Sequence, residues 1–106
     1  MRYYKHLYLA KGIRKKDQVI RKLEENKLQM NIHIITLPMN GEDQLEIYHS
    51  MVLLQPEFPH DDFFVVGIAK GYEDAVEMVE EITQEVYNKT KGADIRSFIL
   101  EREQEE

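Results

Sequence analysis

The sequence predicts a small three-layer α/β/α protein, in which helices cover both faces of a mixed sheet with strand order 3-2-1-4-5. Segments with strand composition alternate with amphipathic helical segments along the 106 residues. Two strand segments, residues 31–39 and 63–69, are apolar on both faces and therefore need cover on both sides. The length fits one core, so we assign residues 1–100 to a single α/β domain and residues 101–106 to an acidic, frayed C-terminal tail.

The first two elements are predicted to be a strand and an amphipathic helix. Residues 3–10 are rich in Tyr and Leu and are followed by a glycine turn, which is typical of a strand. Residues 14–27 place Val19, Ile20 and Leu23 on one side of a helix and charged side chains on the rest. Such a helix buries one stripe against the sheet.

The middle of the chain predicts a hairpin. Residues 31–39 form the next strand, and Asn40-Gly41 suits a type I′ turn because both central positions of that turn have positive φ. Residues 44–48 then return as a short paired strand. Residues 49–55 fit either a strand or a short helix.

The last third predicts a strand, a long helix and a closing strand. Residues 63–69 form an apolar run of the kind found in central strands. Residues 72–91 carry acidic side chains early, lysines late and an apolar stripe at helical spacing. Residues 94–100 alternate between two faces, as a strand does. The helical stripe comprises Ala75, Val79, Ile82 and Val86.

Two topologies fit this order of elements. In the three-layer sheet, right-handed crossovers place the two long helices on opposite faces, and residues 3–10 lie parallel to residues 63–69 as direct neighbours. In the alternative, a ferredoxin-like α+β sandwich, the helices share one face and the other face is bare or buried in a dimer. The apolar strand segments favour the first arrangement.

The same strand-to-helix junction occurs twice. An Ala-Lys-Gly turn contains Lys11 and Gly12 after the first strand, and a second contains Lys70 and Gly71 after the fourth. In the predicted strand order both turns lie at the carboxyl edge of the sheet, where open α/β sheets bind ligands. Backbone N–H groups at the two helix N-termini and the two lysines then favour a phosphate or a nucleotide. An ordinary tight turn explains the same residues.

Charge is distributed unevenly along the chain. Residues 1–27 hold nine basic and three acidic side chains, the rest holds five basic and seventeen acidic ones, and the net charge is -6. Net acidity argues against tight, nonspecific binding to duplex nucleic acid, because phosphate neutralisation supplies that affinity. The chain has no cysteine, and its apolar runs are shorter than the ~18 residues of a membrane span. We therefore expect a cytoplasmic protein that does not enter a membrane.

Catalysis and metal binding find little support in the sequence. None of the four histidines has the i, i+4 spacing of a helical metal pair, so we predict no metal site. His49 precedes Ser50, but adjacent residues point in different directions, so the pair is not evidence for an activated nucleophile. We predict binding without catalysis and without a cofactor. An enzyme that uses His49 or His60 is the third possibility.

The apolar and aromatic region around residues 51–64 is predicted to mediate self-association. A domain of this size has limited room to bury the whole segment, and exposed Met and aromatic side chains mark contact surfaces. We therefore predict an interaction module that forms a homodimer, with binding of a small anionic ligand as the alternative. The predicted contact residues are Tyr48, Met51, Leu54, Phe58 and Phe63.

Overall fold

The computed structural model describes residues 1–38, 44–56 and 63–105, which form a mixed α/β domain with a four-stranded sheet and three α-helices. A short 3₁₀ helix follows the third strand directly. The predicted turn at Asn40-Gly41 lies outside the described residues. The elements are β1 (Arg2–Leu9), α1 (Lys16–Glu24), β2 (Ile32–Thr36), β3 (Glu46–His49), the 3₁₀ helix (Ser50–Leu54), β4 (Phe64–Lys70), α2 (Tyr72–Thr90) and α3 (Ile95–Glu103).

The strands lie in the order β1-β4-β2-β3, so the predicted order 3-2-1-4-5 is wrong. The predicted parallel pairing of β1 with β4 is confirmed, and β2 pairs antiparallel with β3 as the hairpin prediction requires. However, β4 also pairs antiparallel with β2 and separates it from β1. Because β4 is apolar on both faces, it suits the centre of the sheet, where both faces are covered. A strand on each side also pairs its backbone N–H and C=O groups.

The predicted strand at residues 94–100 is wrong, because this segment begins helix α3. The Asp94 carboxylate accepts hydrogen bonds from the backbone N–H of Ser97 at 3.1 Å and from its hydroxyl at 2.8 Å, which is the geometry of a helix N-cap. Ile95, Phe98 and Ile99 are buried at i, i+3 and i+4, the spacing of one helix face. The ferredoxin-like alternative also requires a strand at residues 94–100, so helix α3 does not fit that topology either. Helix α3 continues through Glu103, into the segment assigned to the acidic tail.

A β-bulge in β4 shifts the alternation of its side chains by one residue. Ile35 of β2 lies opposite Gly67, but the next residue, Thr36, lies opposite Val65, so Val66 is an extra residue in the ladder. Val65 and Val66 belong to different clusters, as successive residues of a strand do, but a Cβ atom on Gly67 would point to Met78, on the same side as Val66. Ile68 therefore packs in the cluster of Val65, and Ala69 packs in the cluster of Val66.

Two hydrophobic clusters cover the sheet. Ile34 and Ile35 are consecutive in β2 and belong to different clusters, because successive side chains of a strand point to opposite faces. The cluster around Ile35 contains the buried residues of α2 and α3, and the cluster around Ile34 contains Leu23 of α1 and Leu53 of the 3₁₀ helix. The α1 side and the α2 side of the sheet are therefore each packed by helices. No helix within the described ranges is long and apolar enough to cross a membrane.

Candidate functional site

The two Ala-Lys-Gly turns lie side by side, as the predicted anion site requires. Leu9 is opposite Ile68 in the parallel ladder, and the Ala10 N–H donates to the Ile68 carbonyl at 3.1 Å. A Cβ atom added to Gly12 would lie 3.2 Å from Cδ of Lys70, so the aliphatic part of the Lys70 side chain lies against Gly12. The structure therefore brings Lys70 and Gly12 together at the carboxyl ends of neighbouring strands.

The second turn has fewer free backbone donors than the prediction assumes. Gly71 has a φ of 93°, a conformation that L side chains rarely adopt, which explains the glycine between β4 and α2. Its N–H donates to the Asn31 carbonyl at 2.7 Å. That bond continues the β2–β4 ladder, so Gly71 stabilises the sheet and its N–H does not point into an anion site.

The cleft beside the first turn is acidic. It has a volume of about 410 Å³, and Lys11 contributes its only cationic side chain. Asp74, Glu77 and Glu81 of α2 line the opposite wall. Three carboxylates against one ammonium group repel a phosphate, and this repulsion opposes the attraction of a helix N-terminus, which is about 0.3–1 kcal/mol. The spacing 74, 77 and 81 places these acids on one helical face.

The predicted contact residues are located around β3 and the 3₁₀ helix. The ring of Tyr48 stacks on Phe63, with centroids 5.1 Å apart and ring planes 18° apart, and both rings pack on the cluster that contains Leu53. Met51 and Leu54 are 47% and 39% exposed. Because a 3₁₀ helix has three residues per turn, these two side chains lie on the same side of it. Phe58 lies outside the described residues.

We call the outer edge of β3, together with Tyr48, Met51, Leu54 and Phe63, the β3 surface. Residues 45–55 contain one charged side chain, that of Glu46, although 32% of the chain is charged. Exposed apolar side chains in a segment with so little charge are typical of the central part of a protein interface. Although the predicted order 3-2-1-4-5 is wrong as a whole, it also places this strand at an edge of the sheet, next to β2, as the structure does.

His49 has a structural role at the start of the 3₁₀ helix. Its Nε2 lies 2.8 Å from the Met30 carbonyl, and its Nδ1 accepts the Met51 N–H at 3.0 Å. A carbonyl is only an acceptor, so the proton of the neutral ring is on Nε2. The Ser50 hydroxyl donates to the Gln29 carbonyl at 2.9 Å. His49 therefore does not activate Ser50, and His60 lies outside the described residues.

His33 lies beside His49 on the neighbouring strand. The two residues are directly opposite each other in the β2–β3 ladder, and their ring centroids are 4.7 Å apart. Burial, followed by the neighbouring His49, lowers the pKa of His33 below its ordinary value. Within residues 1–38, 44–56 and 63–105, no group of three His, Asp or Glu side chains could hold a metal ion.

A second polar cluster connects β1 to the helices on the α2 side of the sheet. The Tyr8 hydroxyl donates to Glu85 Oε2 at 2.9 Å, and Arg102 and Lys89 each approach Glu85 Oε1 at 3.3 Å. Burial, together with the hydrogen bond to Glu85, raises the pKa of Tyr8. These contacts hold β1, α2 and α3 together, and no spacing or motif in the sequence would have identified them.

Comparison with known proteins adds no assignment: no family model matches the chain, and no curated protein or solved structure is significantly similar to it.

Proposed function

We propose that the protein is a self-associating interaction module without catalysis of its own, and that the β3 surface is its contact surface. The observation that carries the proposal is the exposure of Met51 and Leu54 on one side of the 3₁₀ helix, next to the stacked pair Tyr48 and Phe63. Exposed apolar patches rimmed by polar groups are typical of contact surfaces. Methionine and aromatic side chains are also enriched in the buried centres of interfaces.

The distribution of charge supports the same surface. Helix α2 carries a row of exposed carboxylates, and two copies that met through α2 would repel each other. The β3 surface has Glu46 as its only charged side chain between residues 45 and 55. A second copy therefore meets less electrostatic repulsion at residues 45–55 than at α2.

Light scattering after size-exclusion chromatography tests the proposal. We expect the wild-type chain to have twice its 12.6 kDa mass. We expect Met51→Glu combined with Leu54→Glu to give single chains, because two carboxylates would have to be buried in the interface. Tyr87→Glu is the matched control, since Tyr87 is 52% exposed on α2 and should leave the dimer intact. A wild-type mass equal to one chain at all concentrations would contradict the proposal.

Binding of a small anionic ligand is the second candidate function. The observation that favours it is the contact between Lys70 and Gly12, which joins the two turns. The carboxylates in the neighbouring cleft oppose it. This function predicts that inorganic phosphate or a nucleotide raises the melting temperature and that Lys11→Ala with Lys70→Ala abolishes the increase. A melting temperature that no phosphate compound changes would rule it out.

A further inference from the structure

We infer that two copies associate by pairing their β3 strands antiparallel about a two-fold axis at Ile47, so that the four-stranded sheet continues into the second copy. This inference rests on the proposed self-association and specifies how it occurs. It follows from the direction of the backbone groups of β3, from the difference between the two sheet edges, and from the side chains that a two-fold axis brings together.

The hydrogen bonds of β2 determine which backbone groups of β3 point outward. The Gly71 N–H donates to the Asn31 carbonyl, and the Leu37 N–H donates to the Phe64 carbonyl. Odd-numbered residues of β2 therefore bond to β4, and because these directions alternate along a strand, even-numbered residues bond to β3. The even residues Ile34 and Thr36 lie opposite residues 48 and 46.

It follows that Tyr48 and Glu46 direct their backbone groups towards β2, whereas Leu45, Ile47 and His49 direct theirs to the outer edge. In the part of the chain that the structure describes, β3 has β2 as its only neighbouring strand. Unpaired N–H and C=O groups in a row at a sheet edge form a template for another strand. The outer edge of β3 is therefore able to accept one.

The opposite edge of the sheet is protected. The N–H of Lys5 in β1 donates to Glu103 Oε1 of α3 at 2.8 Å, and the Lys5 ammonium group donates to the Glu105 carbonyl. The same strand carries the charges of Arg2 and Lys5, and edge lysines prevent strand addition in natural sheets. A second copy is therefore directed to β3 and not to β1.

A two-fold axis can pass through a hydrogen-bonded or a non-hydrogen-bonded residue pair, so the side chains decide among the registers that use the outward backbone groups. An axis perpendicular to the sheet keeps the two faces of both copies aligned, so a residue at the centre pairs with itself. A centre at Ile47 pairs its outward N–H and C=O with those of Ile47 in the second copy, and Leu45 with His49. A centre at Tyr48 would also use the outward groups of Ile47 and His49, but it would place Glu46 opposite Ser50, which belongs to the 3₁₀ helix.

The side chains are complementary in this register. Glu46 of each copy lies opposite Tyr48 of the other, on the same face of the sheet, so the only carboxylate of the segment faces a phenol ring and not a second carboxylate. Ile47 lies opposite Ile47, which pairs two β-branched side chains across the axis. Charge and shape therefore both accept a second copy of this chain at the β3 edge.

Disulfide cross-linking tests the register, and the chain is well suited to it because it has no cysteine. Under mild oxidation, Ile47→Cys should form a covalent dimer, since residues opposite each other lie within the Cα separation that disulfides tolerate. Glu46→Cys should cross-link to Tyr48→Cys in a mixture of the two variants, and neither should cross-link to itself. Tyr87→Cys is the control for random collisions. Equal cross-linking at positions 46, 47 and 87 would overturn the register.

A proline substitution tests the hydrogen bonds directly. Ile47→Pro removes an N–H that points outward and leaves the bonds to β2 intact, so the domain should stay folded and become a single chain. Ile47→Val keeps the N–H and should stay dimeric. A folded Ile47→Pro dimer would overturn the inference while leaving self-association intact, whereas a wild-type chain that is always monomeric would contradict the proposed function itself. If Ile47→Pro is unfolded by circular dichroism, the cross-linking result decides.

Discussion

Substituting alanine for Gly67 tests the packing of α2 against the bulge in β4. A Cβ atom at this position would lie 2.6 Å from Sδ of Met78 and 3.4 Å from Cδ1 of Ile35. Nonbonded heavy atoms pack at about 3.5–4.0 Å, so the methyl group overlaps the sulfur by about 1 Å. Met78 is buried but also lines the acidic cleft, so its flexible side chain has to shift towards that cleft to relieve the overlap. We expect a cost of about 1–3 kcal/mol, which is typical of an overpacked core.

Thermal unfolding followed by circular dichroism measures this cost. In a domain of this size each kcal/mol lowers the melting temperature by about 4–8 °C. A double-mutant cycle with Met78→Ala isolates the clash: Met78→Ala alone should cost about 2–5 kcal/mol because it creates a cavity. In the Met78→Ala background, Gly67→Ala should then cost little, since the sulfur is gone. An equal cost of Gly67→Ala in both backgrounds would refute this explanation.

Two further predictions concern His33 and Asp94. The pKa of His33 is lowered from its ordinary 6.5, so near and below this pH the folded state binds fewer protons than the unfolded state. The free energy of unfolding that is present above about pH 6.5 is therefore lost as the pH falls through the folded pKa. Urea unfolding between about pH 8 and pH 5 should show a smaller loss for His33→Phe, and equal losses would contradict this. Asp94→Ala should lower the melting temperature because it removes the side chain that accepts the Ser97 N–H at the start of α3. Asp94→Asn keeps an acceptor and should retain most of the wild-type melting temperature. Equal melting temperatures for the two variants would contradict a role of Asp94 as N-cap.

The sequence was informative where local pattern and tertiary packing agree. Helix α2 was predicted because its apolar stripe, early acids and late lysines all indicate a helix. The pairing of β2 with β3 followed from the Asn-Gly turn signal. The parallel contact of β1 with β4 was expected from the strand order of a three-layer sheet, although the position of β4 between β1 and β2 depends on long-range pairing.

The segment from Ile95 to Ile99 shows why α3 was missed. Alternation of Ile95, Ser97 and Ile99 predicts a strand, but the buried set is Ile95, Phe98 and Ile99, which fits a helix equally well. Asp94 decides between the two readings, because its side chain caps the helix at Ser97. An Asp before an apolar residue was visible in the sequence, but a short apolar run fits both periods.

The candidate sites were predictable to different degrees. The two glycine turns could be placed at one edge of the sheet because parallel neighbouring strands end together. The acidic wall formed by Glu77 and Glu81 could not, because their position depends on how α2 packs on β4 and β2. The exposed side chains of the β3 surface were recognised by composition, whereas the outward direction of the Ile47 backbone depends on the register of three strands.

Amide hydrogen exchange at two protein concentrations tests the β3 interface most directly. The N–H of Tyr48 bonds to β2 within one chain, so its exchange should be slow at any concentration. The N–H of Ile47 should exchange slowly in concentrated solution, where it bonds to the second copy, and rapidly after dilution. Equally rapid exchange of the Ile47 N–H at both concentrations would contradict pairing of the β3 strands.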